Sequence, residues 1–239
     1  MTISQHPAAT IPLGQTSPAP GTTLPSGSTA PAAQAFPPLK MTVKKKLPTG
    51  VASNVKQRVL FLLDHSSSMS GEKIQELEMA MGSILLQLAD PSNKGGFLVT
   101  VIPFNHASHV LCAAEAATSV PALNLIASGG TNFDSPILAA ISEIEAFKAR
   151  PNPDGWQYLQ PQVLFLSDGQ SRVSDKNIQD LQERANVTAV AYGADANQDI
   201  LSRIASDGQV HIVGDNGGAL RDFLAAVGAT MVSTIKAAM

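Results

Sequence analysis

The chain has 239 residues, enough for one domain of ordinary size or for one domain with an extended tail. Its formal net charge of −3 provides no general attraction to nucleic acid or to anionic lipid. The single cysteine, Cys112, excludes an internal disulfide framework and is typical of a reducing compartment. No secretory signal or membrane-spanning stretch is visible, so the sequence predicts a soluble, cytoplasmic protein.

Residues 1–50 differ in composition from the rest of the chain. They hold nine of the 16 prolines and four lysines, mixed with Ala, Ser, Thr and Gly, and no acidic residue. Such a segment cannot bury enough apolar surface to offset the entropy lost on ordering. We therefore predict a disordered tail with a basic end. The alternative is a proline-rich peptide that docks on a partner.

Strand and helix patterns alternate from residue 57 onward. Runs such as "RVLFLLD" and "QVLFLSD" are continuously apolar, as expected of strands that are buried on both faces. The predicted strands are 58–64, 97–104, 109–114, 162–168, 187–193 and 209–213, and the predicted helices are 71–89, 134–148, 174–185, 197–206 and 217–236. This alternation predicts an α/β domain over residues 57–239, with a doubly wound, mostly parallel central sheet covered by helices on both faces.

Oxygen-bearing side chains follow two of these strands. Asp64, Ser66 and Ser68 occupy alternate positions after the first strand, Asp168 ends the fourth, and Thr131 follows a pair of glycines before a helix. Because binding crevices in such sheets lie at the carboxyl ends of the strands, we expect these five side chains to converge. Hard divalent cations prefer oxygen ligands, so the pattern indicates a metal site.

The order D-x-S-x-S, G-G-T and strand-D-G, over residues 57–236, resembles the metal-ion-dependent adhesion site of von Willebrand factor A domains. The resemblance implies that Ser66, Ser68 and Thr131 contact Mg²⁺ or Mn²⁺, and that Asp64 and Asp168 bind it directly or through water. Neutral hydroxyl ligands leave the ion most of its positive charge, which attracts an Asp or Glu carboxylate of a partner protein. The resemblance thus implies a metal-dependent protein interaction module with no enzymatic activity.

Within that family, the chain is similar to bacterial A-domain proteins associated with tellurium-resistance operons, which implies a role in a stress-response or defence complex. One alternative is an A-domain subunit of an AAA+ or chelatase-type assembly. Another is a Mg²⁺-dependent phosphohydrolase of the haloacid-dehalogenase-like type, with Asp64 as nucleophile. That class carries a second aspartate two residues downstream as acid and base, where this chain has Ser66. Partner identity and oligomeric state stay open.

Three further patterns bear on this interpretation. His106, His109 and Cys112 offer zinc ligands at a spacing of three, but strand positions i and i+3 point to opposite faces. Ser70 and the neighbouring hydroxyls are alternatively helix caps. Asp134 is expected either to orient water around the ion or to cap the 134–148 helix.

Overall fold

The computed structural model describes residues 54–193, 195–214 and 218–239. The predicted tail, residues 1–50, lies outside the described residues. No helix in the described part of the chain has the length and apolar character needed to cross a membrane.

Seven strands of the described residues form one sheet, in the order β3-β2-β1-β5-β6-β7, and the two-residue β4 pairs with the beginning of β1. The strands are β1 (Val55–Asp64), β2 (Phe97–Phe104), β3 (Cys112–Ala116), β4 (Gln157–Tyr158), β5 (Gln162–Ser167), β6 (Asn186–Tyr192) and β7 (Val210–Val213). All neighbouring strands are parallel except β2 and β3, which run antiparallel at one edge.

Helices cover both faces of this sheet. They are α1 (Glu72–Leu88), α2 (Asp134–Lys148), α3 (Asp175–Arg184), α4 (Gln198–Ile204) and α5 (Ala219–Ala238). Apolar side chains of α1 and α5 pack on one face, and those of α2, α3 and α4 pack on the other. The predicted doubly wound α/β fold is confirmed.

The central strand β1 explains why its sequence is apolar without alternation. Phe61 and Leu63 pack towards α1 and α5, whereas Leu60 and Leu62 pack towards α2, and all four are at most 1% exposed. Burying each of these side chains contributes roughly 1.5–3 kcal/mol. Since both faces are buried, the register of β1 is strongly specified, and its last residue, Asp64, lies at the carboxyl edge of the sheet.

The edge strand β3 differs most from the prediction. The expected strand over 109–114 lies at Cys112–Ala116, and its pairing with β2 is interrupted by a register shift between Val99 and Val101. Such an irregular, half-buried edge strand has no continuous apolar run to mark its bounds. β1 begins three residues before its predicted start, and β4 was not predicted. The other predicted elements agree with the structure to within two residues at each end.

Candidate metal site

The candidate site lies where β1 and β5 end side by side at the centre of the sheet. α1 leaves β1 on one face of the sheet, while α2 covers the opposite face, so this is the point at which the winding direction changes. In open α/β sheets the ligand crevice opens at this switch point. The structure therefore places the loops after β1 and β5 beside the same crevice.

The loop between β1 and α1 (residues 65–71, the serine loop) and Asp168, directly after β5, form one hydrogen-bonded set. The backbone N–H of Ser66 donates to Oδ1 of Asp64 at 2.8 Å, and the hydroxyl oxygens of Ser66 and Ser68 lie 3.0 Å apart. The Ser68 hydroxyl in turn donates to Oδ1 of Asp168 at 2.6 Å, across 100 residues of sequence. The four side chains predicted from the two strand ends thus come together.

Thr131 reaches the same place through the loop before α2. The backbone N–H of Asn132 donates to the carbonyl of Asn105 at 2.8 Å, which ties this loop to the end of β2. A Cβ at Gly169 would lie 2.9 Å from Oγ1 of Thr131 and 3.3 Å from Oδ2 of Asp64. The Thr131 hydroxyl and the Asp64 carboxylate therefore both border Gly169, and any side chain at that position would crowd them.

The glycine pair before Thr131 has a conformational role. Gly129 has φ of 73°, and a Cβ there would meet Nδ1 of His106 at 2.8 Å. Its carbonyl accepts hydrogen bonds from both the backbone N–H and the hydroxyl of Ser67, at 3.0 and 2.8 Å. Only glycine takes up this backbone conformation without strain, and the turn that it permits joins the Thr131 loop to the serine loop.

Asp64 is a fully buried carboxylate, 0% exposed, at the base of the site. Burial raises its pKa above the ordinary value of 3.8, and hydrogen bonds from Ser167 and Ser66 offset part of that rise. The Ser167 hydroxyl donates to Oδ2 at 2.5 Å. Among the described residues, Asp64 forms no ion pair with Lys, Arg or His. A buried negative charge without a counter-ion is costly, and the oxygens around it suit a divalent cation.

Asp168 is in a different electrostatic environment. Its side chain is 1% exposed, and Nζ of Lys73 lies 2.5 Å from its Oδ2. Lys73 stands in the first turn of α1, directly after the serine loop.

The sequence patterns did not identify Lys73 or Ser167, which immediately precedes Asp168, as residues of the site. Lys73 could have been recognised as a positive charge that follows the cluster of Asp64 and the serines at the start of the next helix. The sequence around Ser167 contains no feature that marks its hydroxyl as part of a site.

The site is open on the side that carries the hydroxyl groups of Ser68 and Thr131. Ser68 is exposed and Thr131 is half-buried, whereas Asp64, Ser66 and Asp168 are buried. A group arriving from solvent therefore meets neutral hydroxyls before it meets either carboxylate.

The capping interpretations are wrong. α1 begins after Gly71 with no side-chain cap, so neither Ser70 nor the other serines cap it. Oδ1 of Asn132, rather than Asp134, accepts the first backbone N–H groups of α2, at 3.1 and 3.4 Å.

The hydrogen bonds of the Asp134 carboxylate go to the beginning of α3. Its Oδ1 accepts hydrogen bonds from the backbone N–H of Ser174 at 3.0 Å and from Nδ2 of Asn177 at 2.7 Å. The carboxylate thus ties the beginning of α2 to the beginning of α3, and the prediction that it orients water around the ion has no support in these contacts.

The structure does not support zinc binding by His106, His109 and Cys112. The described residues contain no group of three His, Cys, Asp or Glu side chains placed to hold a metal. Cys112 is buried, and its thiol faces the carbonyl of Val99 at 3.8 Å.

The von Willebrand factor type A domain model matches residues 59–225, most of the chain. The chain belongs to the von Willebrand factor A family. This family is known as a metal-binding protein interaction module. Human inter-alpha-trypsin inhibitor heavy chain H4 is 26% identical over 212 residues, which cover 79% of this chain and 22% of that protein. The chain therefore spans about a fifth of the length of this relative.

Solved structures share the fold of this A domain at low sequence identity. Proximal thread matrix protein 1 from the mussel byssus, in a form whose adhesion-site motif holds zinc, superposes with a TM-score of 0.61 at 16% identity, over 76% of this chain and 49% of that chain. The pilus adhesin SpaC from Lactobacillus rhamnosus GG gives a TM-score of 0.62 at 12% identity, over 77% of this chain and 31% of that chain.

Proposed function

We propose that this A domain binds a partner protein through a Mg²⁺ or Mn²⁺ ion, which accepts an Asp or Glu carboxylate of the partner. The residues that hold the ion are Asp64, Ser66, Ser68, Thr131 and Asp168. The observation that carries the proposal is the buried Asp64 carboxylate, 0% exposed and without a counter-cation among the described residues, surrounded by hydroxyl groups. When bound, the ion supplies the positive charge that this carboxylate lacks.

The arrangement of the oxygens suits capture of an outside carboxylate. Ser68 and Thr131 lie on the open side, and Asp64 and Asp168 lie behind them. An approaching carboxylate is thus kept away from the two negative charges of the site, while the neutral hydroxyls leave the ion most of its own charge. A site with carboxylates on its open side would repel the same partner.

We also propose that the domain is not an enzyme. Both oxygens of Asp64 accept hydrogen bonds and the side chain is buried, which disfavours its use as a nucleophile. The residue two positions on, where an acid and base would stand, is Ser66, bonded to Ser68. Sustained Mg²⁺-dependent hydrolysis of an aryl phosphate, lost in Asp64→Asn, would favour the phosphohydrolase instead. A cytoplasmic location, a tellurium-resistance or stress-response complex and an AAA+ assembly stay predictions that the relatives do not test.

Metal binding is tested by titrating the chain with Mn²⁺ in a calorimeter. Thr131→Val keeps the shape of the side chain and removes the hydroxyl beside Asp64. We expect a single site in the wild-type domain and a loss of affinity of tenfold or more in Thr131→Val, because even the residues that support metal ligands typically contribute about 10–100-fold to the affinity. Thr118→Val, at an exposed position after β3, is the matched control. Equal affinities in all three proteins would overturn the assignment of Thr131.

Partner chemistry is tested by selecting a displayed random peptide library on the domain in Mg²⁺ and eluting with EDTA. The proposal expects selected peptides that share an Asp or Glu, and loss of binding when that residue is replaced by Asn or Gln. Selected peptides without an acidic residue, or binding that survives EDTA, would contradict the carboxylate bridge.

A further inference from the structure

The two carboxylates of the site are balanced unequally by the protein. Asp168 has a lysine ammonium at 2.5 Å, whereas Asp64 forms no ion pair among the described residues. A chain that only needed to stabilise its metal-free fold would gain most by pairing the more buried carboxylate. The inequality therefore points to a role for Lys73 towards the ion, and this inference rests on the function proposed above.

Lys73 is held in place by its surroundings. Its side chain is 23% exposed, and a Cβ at Gly193, after β6, would lie 3.3 Å from its Nζ. One turn along α1, Glu76 accepts a hydrogen bond from the hydroxyl of Tyr192 at the end of β6. The beginning of α1 is thus tied to the ends of both β5 and β6, and the ammonium stays beside Asp168.

Both oxygens of Asp168 are already engaged in this arrangement. Oδ1 accepts from the Ser68 hydroxyl at 2.6 Å, and Oδ2 accepts from Lys73 at 2.5 Å. The lysine cancels one of the two negative charges that the site offers to an ion. Its ammonium also repels any cation beside Asp168, because like charges at a few ångströms interact strongly where burial limits screening.

We propose that Lys73 weakens the affinity of the site for its divalent ion and, by leaving the loaded site more positive, strengthens its attraction for a carboxylate. Lys73 is a positioning residue, which acts on the ion through Asp168 and through its own charge. We call these two opposite effects of Lys73 the trade between ion affinity and carboxylate affinity. It has a physical basis, because each negative ligand charge that holds the ion also reduces the positive charge with which the loaded site attracts an outside anion.

The first test measures Mn²⁺ affinity by calorimetry in Lys73→Met and Lys73→Gln. We expect both variants to bind Mn²⁺ about tenfold more tightly than the wild type, from removal of one charge near the ion. Lys73→Gln still offers Asp168 a hydrogen bond, so it separates loss of charge from loss of the bond and provides a second variant if Lys73→Met folds poorly.

Two controls accompany these variants. Lys73→Arg keeps the charge and is expected to keep the wild-type affinity. Lys236→Met removes an exposed lysine of α5 that contacts Ser92, before β2, at the opposite edge of the sheet. Lys236→Met is expected to leave the Mn²⁺ affinity unchanged, because solvent and salt largely screen a surface charge at the edge of the sheet opposite to the site.

The second test measures the carboxylate side of the trade. Sodium acetate is added to the Mn²⁺-loaded protein, and displacement of metal-bound water is followed by the relaxation rate of the water protons. We expect Lys73→Met and Lys73→Gln to need severalfold more acetate than the wild type for half of the effect.

The outcomes separate this inference from the proposed function. Unchanged or weaker Mn²⁺ binding in folded Lys73→Met and Lys73→Gln, with normal wild-type binding, overturns the role of Lys73 and leaves the metal site standing. Tighter Mn²⁺ binding with unchanged acetate response overturns the trade. Absence of Mn²⁺ binding by the wild-type protein overturns the proposed function and this inference together.

Discussion

Replacing Asp64 by Asn tests the central charge of the site without opening a cavity. The amide has the size of the carboxylate and keeps one oxygen that can accept a hydrogen bond from the Ser66 N–H. In the wild-type structure the Ser66 nitrogen lies 2.8 Å from Oδ1 of Asp64. The NH₂ group of the amide faces the Ser167 hydroxyl, which now donates to Oδ2 at 2.5 Å and can accept instead. We therefore expect Asp64→Asn to fold.

In EDTA the substitution removes a buried charge. Because burial raises the pKa of Asp64 in the folded protein above the ordinary 3.8, its ionised form opposes folding at neutral pH, and that cost disappears as the pH falls towards 3.8. Weaker hydrogen bonds to the neutral amide cost about 1 kcal/mol. The two effects oppose each other, so we expect the free energy of unfolding of Asp64→Asn to lie within about 1 kcal/mol of the wild type, or above it.

With metal the two proteins should separate. Free Mn²⁺ at about 100 times Kd stabilises a binding-competent protein by about 2.7 kcal/mol, which raises the Tm of a domain of this size by about 5–10 °C. Asp64→Asn should show no measurable rise.

Scanning calorimetry at neutral pH, in EDTA and in Mn²⁺, gives both numbers. Asp207→Asn is the matched control, since Asp207 is exposed in the turn before β7 and Asn can replace its hydrogen bond to the Gln209 N–H. An equal metal-induced rise in Asp64→Asn and wild type would refute the ligand assignment. A fall of many degrees for Asp64→Asn in EDTA would refute the reasoning about the buried charge.

Three other predictions concern the fold around the site. Burial lowers the pKa of His211, whose Nδ1 has no hydrogen-bond partner in the described part of the chain, so the unfolded chain takes up the proton first as the pH falls through 6.5. The free energy of unfolding should then fall by up to about 1.4 kcal/mol per pH unit, and urea titrations of His211→Phe should lack this part of the pH dependence; identical pH profiles would contradict it. Asp134→Ala removes two hydrogen bonds between α2 and α3 and should cost about 1–3 kcal/mol in the same titrations with no change in Mn²⁺ affinity; a weaker Mn²⁺ affinity would restore its role at the ion. Deleting residues 1–50 should lower the Tm by no more than about 3 °C, and a larger drop in calorimetry would show that this segment stabilises the domain.

The sequence by itself determined the fold class and the order of the metal motif. β1 and β5 could be predicted from the sequence because a strand that is buried on both faces is apolar at nearly every position. An aspartate at the end of such a run therefore marks the carboxyl edge of the sheet. The helices could be predicted because each one packs a single apolar stripe against the sheet, and that stripe repeats with the period of the helix. The edge strand β3, half-buried and irregular, carries no such periodic pattern, and its predicted bounds were displaced.

Only the tertiary structure decided which side chains complete the site. Lys73 and Asp168 are 95 residues apart in the sequence, and Ser167 and Asp64 are 103 apart. Asp134 lies close to the Thr131 motif in sequence, yet its partners come from α3. Local patterns record how deeply each residue of a strand or helix is buried, because burial repeats with the period of the element. They do not record which charged or polar group a distant segment brings alongside, because that depends on the order of the strands and on the packing of the helices between them.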